Sequence, residues 1–374
     1  MKFEIHKQHE DAYYSVENMK VKTEDDIFMS QATISTLKSM YCGNLLKTMI
    51  IGGVETEPEY RRNGCVREIF NNILPQAPER GWVVSFLHPF SFSYYRKFGY
   101  EKVADQLIIE FPINKLSHIP RCNDFKLLRG EDGLSDAIEV YNKFTEKRNI
   151  MFYRYNDRHF FTNPSKTQGS TYIWYDEKGT PSSYISLAVE NYYSINRMVS
   201  VNLNVYEMAF TTPESLIALF GFIRLYEGEN DTVKIHNAAM SPEIDLILRN
   251  YTHTTYRKYP DLMARVLNVK KILEANSYPK EKGHFRVKVN DTLDFTQGVW
   301  EVEFENGTAV ASRINDTTQY DLSADMPAFS QLVYGYDAYT IDTAAYMEGV
   351  KILNPNTDFF RAFSKKNNGL FEHF

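Results

Sequence analysis

The segment Val54-Glu55-Thr56-Glu57-Pro58-Glu59-Tyr60-Arg61-Arg62-Asn63-Gly64-Cys65-Val66-Arg67 constrains the fold more than any other stretch of the chain. Before it, Met49-Ile50-Ile51-Gly52-Gly53-Val54 is a short apolar run rich in β-branched residues, the pattern of a buried strand. After it, Val66, Ile69, Phe70, Ile73 and Leu74 recur at helical spacing and predict an amphipathic helix with one face on a core. A strand, a tight basic turn and a helix in that order aim a row of backbone N–H groups and a helix dipole at one spot. Gly64 lets the backbone come close to a ligand, so the turn is a candidate anion site. From these residues alone, an ordinary strand-to-helix turn with two solvated arginines fits equally well.

Trp82-Val83-Val84-Ser85-Phe86-Leu87 reads as a second strand, one helix later, as a βαβ crossover requires. It leads through His88, Pro89 and Phe90 into Ser91-Phe92-Ser93-Tyr94-Tyr95-Arg96-Lys97-Phe98-Gly99-Tyr100, a short aromatic helix that Gly99 ends. Arg61-x-x-Gly64 followed by Tyr95-Arg96-Lys97-Phe98-Gly99-Tyr100 resembles the acyl-CoA site of the GCN5-related N-acetyltransferases (GNAT). The fuller strings Val54–Arg62 and Ser85-Phe86-Leu87-His88-Pro89-Phe90 are similar to one branch, the enhanced intracellular survival (Eis) acetyltransferases. The resemblance is specific over residues 40–110 and at the extreme C-terminus, and elsewhere rests on the order of elements. It implies an α+β protein with two tandem acetyltransferase-like α/β domains and a C-terminal sterol-carrier-protein-like α+β domain. Acetyl-CoA as co-substrate, a small-molecule amine acceptor and a homo-oligomer, a hexamer by resemblance, come with it.

The 374 residues allow two or three domains, and 43% hydrophobic composition can fill their cores. A net charge of −6, with Lys and Arg spread along the chain, argues against a nucleic-acid footprint and suits a cationic substrate. Cys42, Cys65 and Cys122 have neither paired nor metal-like spacing and fit a reducing compartment. Cys65 lies in the anion turn, where a thiolate would be favoured, but reads better as a small apolar filler. No run approaches 18 apolar residues and the first residues lack a signal peptide's apolar stretch, so a soluble, cytoplasmic protein without membrane association is expected. The histidines show no metal spacing, and no metal cofactor is expected.

The domains are expected at 1–112, 113–270 and 271–374. Pro112 to Asn123 reads as a linker. The second unit has a helix from Ser135 to Arg148 and strands at Thr171–Tyr175, Tyr184–Val189 and Val205–Phe210. Its next helix starts at Thr212-Pro213 with a cap and a first-turn proline. That turn has neither glycine nor arginine, and Pro213 removes a donor, so the second copy is expected to be degenerate. Beyond Lys271, Phe285-x-Val287-x-Val289 and Trp300-x-Val302-x-Phe304 alternate, with a hairpin signal at Asn306-Gly307 and a helix over Pro327–Tyr334. Only 53 residues precede Val54, short for the opening strand, helix pair and two antiparallel strands of the family; Met29–Ser39 and Leu45–Ile51 supply the two strands.

Acetyl transfer to an amine requires a held pyrophosphate, a polarised thioester, a deprotonated amine and a proton for the leaving thiolate. N–H groups from Arg62 to Arg67 suit the first need, and those of Val54 and Thr56 on the strand edge suit the second. Glu55, Arg61, Asn63, Gly64, Cys65, Val66, Phe90 and Ser91 complete the expected cofactor-binding set. Tyr95 aligns with the family's acid, since a phenol stays protonated at neutral pH and can donate to a thiolate. Tyr94, about 100° away on a helix, points elsewhere. For the base, His88 is the naive choice, though a lone histidine there is more often a structural hydrogen-bonder. Resemblance to Eis proteins implies instead the terminal α-carboxylate of a phenylalanine, here Phe374, with Glu372 either beside a cationic substrate or solvated. A longer-chain N-acyltransferase, of the kind the N-myristoyltransferases represent, and a non-catalytic binder of CoA or an apolar ligand are the alternatives.

Overall fold

In a computed structural model of the chain, the described residues are 1–129, 132–155, 169–194, 197–238, 242–249, 252–314, 319–337, 340–355, 358–372 and 374. They form two compact units: one of Met1–Ala104, Asp261–Asn368 and Phe374, the other of Asp105–Pro260 and Gly369–His373. The segment Asp261–Asn368, most of the third expected domain, groups with residues 1–104.

The first unit opens on an antiparallel meander of β1 (Lys2–Glu10), β2 (Ser15–Lys22), β3 (Phe28–Tyr41) and β4 (Asn44–Thr56). Residues 1–28 thus hold two strands where the family's helical lead-in was sought. Their cause is alternation: Met19 and Val21 are buried and Phe3 and Ile5 pack on the same core, while the residues between face outward. Next come α1 (Cys65–Ile73), the short α2 (Ala77–Arg80) and β5 (Val84–Leu87), which returns parallel to β4. The stripe expected on α1 is its buried face, with Cys65, Val66, Ile69, Phe70 and Ile73 under cover. After β5 follow α3 (Phe92–Arg96) and β6 (Glu101–Pro112).

From its three-stranded meander onward the second unit repeats that order. It contains β7 (Phe125–Leu127), α4 (Leu134–Thr145), β8 (Ser170–Tyr175), β9 (Pro181–Ser194), β10 (Arg197–Phe210), α5 (Pro213–Ile223), β11 (Thr232–Ile235), α6 (Glu243–Leu248) and the start of β12 (Thr255–Val266). Here β8, β9 and β10 form an antiparallel meander, and β11 lies parallel to β10 after the α5 crossover. The core is the α4 face with Ala137, Tyr141 and Phe144 against β9, β10 and α5.

The last part of β12 pairs antiparallel with β5 inside the first unit. Then follow α7 (Val269–Glu274), β13 (Gly283–Asn290), β14 (Gly298–Glu305), β15 (Thr308–Ile314), β16 (Leu322–Asp325), α8 (Met326–Val333), α9 (Ile341–Ala344), β17 (Val350–Ile352) and α10 (Asp358–Ala362). These strands make a separate five-stranded sheet in the order β15-β14-β13-β16-β17. Phe285, Val287 and Val289 are fully buried at alternate positions, and Asn306 (φ 55°) with Gly307 (φ 86°) closes the β14–β15 hairpin in the doubly left-handed form the dipeptide favours.

Candidate functional site

Two parallel strands that part company create the site. β4 and β5 pair from Thr48↔Val84 to Ile51↔Leu87, and the pairing ends there. At that level β4 carries a bulge against β3, between the pairs Thr33↔Gly52 and Gln31↔Glu55. Gly53 takes φ 56° to allow it. Beyond the bulge, Ser30 Oγ donates to the Glu55 carbonyl at 2.7 Å and the Glu57 N–H donates to Met29 at 2.9 Å, so residues 55 and 57 face β3. By the period of two, the backbone N–H and carbonyl groups of Val54 and Thr56 face away from β3, towards the opening beside β5. Arg61 Nε reaches the Thr56 carbonyl at 3.4 Å from that side, and the Glu55 carboxylate is bound by Gln31 Nε2.

The basic turn then delivers α1. The Asn63 N–H donates to the Tyr60 carbonyl (3.3 Å), Arg62 and Gly64 take φ 66° and 85°, and the first helical bond runs from Glu68 N–H to the Gly64 carbonyl at 2.9 Å. The N–H groups of Cys65, Val66 and Arg67 therefore precede the helical ladder and point out of its positive end. A Cβ on Gly64 would meet nothing within 4 Å, so what this glycine supplies is the left-handed backbone and an open approach. Cys65 is buried, its thiol pushed up by desolvation, and it fills space as its apolar neighbours do.

On the other side of the opening, Ser91 caps α3, its hydroxyl accepting from the Tyr94 N–H at 3.4 Å. Tyr94 and Tyr95 have rings at 88° to one another. Tyr95 is 2% exposed, packs with Phe70, Phe90 and Tyr100, and its phenol is pushed up to about 12, by burial first and by Tyr94 second. Tyr94 lines a cavity of about 1070 Å³ with Arg62, Gly64, Arg67, Lys97 and Arg265. Phe90 itself is 72% exposed.

The chain's last residue lies in the same opening. A Cβ on Gly52 would stand 3.3 Å from the Phe374 carboxyl carbon and 3.7 Å from one of its oxygens. The Phe374 ring lies 4.5 Å from that of His88, whose Nδ1 is 3.2 Å from Asp261 Oδ1. The three-residue stretch His88-Pro89-Phe90 thus touches Phe374 at one end and Tyr95 at the other. Glu372 is a correction to both sequence expectations. It is neither solvated nor open to a substrate, but fully buried in the second unit, bound by Arg154 (2.9 Å) and by the Tyr141 hydroxyl (3.0 Å). Arg154 holds Glu207 at 2.6 Å in the same cluster.

The corresponding parallel pair of the second unit is β10 and β11. Glu207, just past the end of that pairing, is buried under Arg154 and Tyr184. The start of α5 is closed by its own side chains, with Ser215 N–H on Thr212 Oγ1 and Thr212 N–H on Ser215 Oγ.

Residues 2–103 match the family described as the acetyltransferase (GNAT) domain. This segment is a GNAT acetyltransferase domain. The enzymes of that family use an acyl-CoA as co-substrate. Among solved structures, a conserved protein of unknown function from Enterococcus faecalis, described as a probable N-acyltransferase, is similar over 100% of both chains, with TM-score 0.81 and 18% identity. A GCN5-related N-acetyltransferase from Anabaena variabilis covers 96% of this chain and 89% of its own, with TM-score 0.80 and 17% identity. Eis1 from Mycobacterium abscessus covers 98% and 91%, with TM-score 0.76 and 14% identity. At these identities the likeness is one of fold, and it extends across the whole chain, as the resemblance to Eis proteins implied. No curated protein matches the sequence.

Of the expected site residues, Phe374 lies against Gly52, while Glu55 faces β3, Cys65 is buried in the core and Ser91 caps α3. Sequence reasoning missed Gly52, Asp261 and the Arg265 wall of the cavity; only the paired glycines Gly52-Gly53 carried a visible signal. Among the described residues no group of three His, Cys, Asp or Glu side chains could hold a metal ion, and no helix is long and apolar enough to cross a membrane.

Proposed function

We propose that the chain is an acetyl-CoA-dependent N-acetyltransferase acting on amines of a small cationic molecule by direct attack in a ternary complex. The observation that carries this reading is the Phe374 carboxylate against Gly52, where β4 and β5 diverge. The N–H groups of Cys65, Val66 and Arg67 take the pyrophosphate, flanked by Arg61 and Arg62. The outward N–H groups of Val54 and Thr56 polarise the thioester carbonyl as charge develops on its oxygen. An alkyl ammonium, with a pKa of about 10, must lose a proton before it can attack. The Phe374 carboxylate accepts that proton, directly or through a water it orients. The amine nitrogen then bonds to the carbonyl carbon, the carbon–sulfur bond breaks, and Tyr95 gives its phenolic proton to the departing thiolate. Burial suits Tyr95 to this, since a phenol held near 12 arrives protonated at any working pH.

The buried Arg154–Glu207–Glu372 cluster and the self-capped α5 support the second unit as an acetyltransferase-like copy without cofactor binding. The sheet of β13 to β17 supports a sterol-carrier-like domain within residues 271–374. Homo-oligomeric assembly and a cytoplasmic location belong to the same proposal. The test is thiol release from acetyl-, propionyl- and longer acyl-CoA over a panel of amines. Release that depends on both acetyl-CoA and a polyamine-like acceptor is expected. Preference for long acyl chains, or CoA binding without amine-dependent release, would overturn it in favour of an acyltransferase or a binder.

A further inference from the structure

The segment that carries the Phe374 carboxylate is gripped just before its end. Asn368 Nδ2 donates to the carbonyls of Val103 (3.0 Å) and Tyr334 (2.7 Å). Leu370 and Phe371 are then buried, and the Phe371 ring stacks on Phe144 with centroids 5.9 Å and planes 9° apart. Glu372 is buried deepest. It is 1% exposed, and its Oε1 accepts from Arg154 Nε (3.0 Å) and Nη2 (2.9 Å) and from the Tyr141 hydroxyl (3.0 Å). The Arg154 guanidinium lies 3.7 Å over the Tyr141 ring. Glu372 belongs to the second unit and Phe374 to the first, with one residue between them.

Stability alone does not account for this glutamate. Arg154 already has Glu207, which accepts from its Nη1 (2.6 Å) and Nη2 (3.0 Å), and the Tyr184 hydroxyl donates to the same carboxylate. Glu372 adds a second negative charge to one buried guanidinium, and its Oε2 is buried with no hydrogen-bond partner among the described residues. Burial pushes its carboxyl above the usual range although Arg154 pulls the other way. A buried charge beyond neutrality costs desolvation that an apolar side chain of the same size would avoid. What such a group gains is a fixed position, because two guanidinium N–H groups and a hydroxyl converge on a single oxygen. Resting on the reading of the Phe374 carboxylate as the base, we propose that Arg154, Tyr141 and Glu372 are a clamp that positions that carboxylate. They are positioning residues, acting through Phe374 and not on the substrate. The second unit then serves the chemistry of the first by holding the tail.

The test measures acetyl transfer by Glu372→Ala, Glu372→Gln and Tyr184→Phe, in the full chain and in a chain extended by a few residues after Phe374. Glu372→Ala frees the tail while Arg154 keeps Glu207, so the second unit should still fold, which a melting curve checks. Since about 1 Å of misplacement can cost 10²-fold, kcat at neutral pH should fall by about tenfold or more. The KM for acetyl-CoA should stay within about twofold, and kcat should recover as rising pH deprotonates the amine. Glu372→Gln keeps an acceptor for Arg154 and Tyr141 and should hold kcat within about threefold of the wild type; a loss as large as that of alanine contradicts the clamp. Tyr184→Phe disturbs the cluster on its Glu207 side and should lower the melting temperature with kcat unchanged. Tyr141→Phe removes one hydroxyl and leaves the ring, and covers the case of an alanine variant that does not fold. It should lose about threefold with the same pH recovery, and an unchanged kcat contradicts the clamp. In the extended chain, whose carboxylate is already displaced, Glu372→Ala should cost nothing further. Where extension alone lowers kcat, a wild-type kcat in Glu372→Ala, or a loss equal at every pH and additive with extension, overturns the clamp and leaves the base standing. An extension that leaves kcat intact refutes the base, and the clamp with it.

Discussion

Replacing Gly52 by alanine is the sharpest probe of where the base sits. Gly52 does not need the left-handed region, so alanine fits its backbone, and replacing a strand glycine raises stability by about 0.4–1 kcal/mol where no strain follows. The new methyl, however, lands 3.3 Å from the Phe374 carboxyl carbon and 3.9 Å from its Cδ2. Ordinary carbon contacts lie at about 3.5–4.0 Å, so the carboxylate must retreat by roughly 0.2–0.7 Å. A misplacement of about 1 Å can cost 10²-fold in rate, which scales here to a loss of about 2.5- to 25-fold in kcat. Valine, reaching further, should cost about 10²-fold on the same scale. The assay is amine-dependent thiol release, with CoA affinity by calorimetry and melting temperature measured alongside. Loss of kcat with CoA affinity within about twofold and a melting temperature no lower than that of the wild type would follow from a displaced base. Wild-type kcat in both variants would refute the argument, because the terminus would then be free to move without consequence.

Tyr95→Phe removes the proposed proton donor and should lower kcat by about 10² with CoA affinity little changed, and unchanged turnover would return Tyr95 to packing alone. In the wild type the alkaline limb should show no loss from Tyr95 ionisation until pH approaches 12, because burial raises that phenol, and a pH–rate profile checks this. Gly64→Asp places a side chain and a negative charge at the N–H turn and should abolish CoA binding, which calorimetry should otherwise find at one site per chain; two sites would contradict a degenerate second copy. His236 is held down to about 4, by burial first and by Lys234 next, with Glu190 pulling the other way. Its folded value lies below the unfolded 6.5, so the stability it confers is present above pH 6.5 and disappears as pH falls towards 4. His236→Phe should flatten the acid decline of the denaturation midpoint over that window, and an identical slope would show that other groups set it.

Local periodicity made much of this fold readable. The α1 stripe, the Thr212-Pro213 start of α5, the alternation in β13 and the Asn306-Gly307 hairpin all follow from side-chain spacing and backbone preference within a few residues. The strands β1 and β2 were equally legible in Phe3-x-Ile5 and Met19-x-Val21, local alternations at a place where the resembled family carries a helix pair. The site was legible where it is local: the Arg61–Arg67 turn and the Ser91–Tyr100 helix. What stayed hidden is held by partners distant in sequence. Nothing near His88 announces Asp261, and nothing in the tail announces that Glu372 is buried by Arg154 and Tyr141. Gly99 looked like a helix stop, and its φ of 83° confirms that role, yet its lack of a side chain also seats Arg265.

The central claim is that the terminal carboxylate of Phe374 takes the amine's proton, and the most direct measurement is the pH dependence of acetyl transfer in a chain extended by a few residues beyond Phe374. Extension moves the carboxylate away while leaving every side chain in place, and His88→Ala serves as its counterpart. The account predicts an extended protein that folds and binds CoA, loses amine acetylation by about 10² or more at neutral pH, and partly recovers as rising pH deprotonates the amine in solution. His88→Ala, which removes a ring packed on Phe374, should lose only a few-fold. Full activity in the extended protein, together with a 10² loss in His88→Ala, would contradict the account and make the His88–Asp261 pair the base.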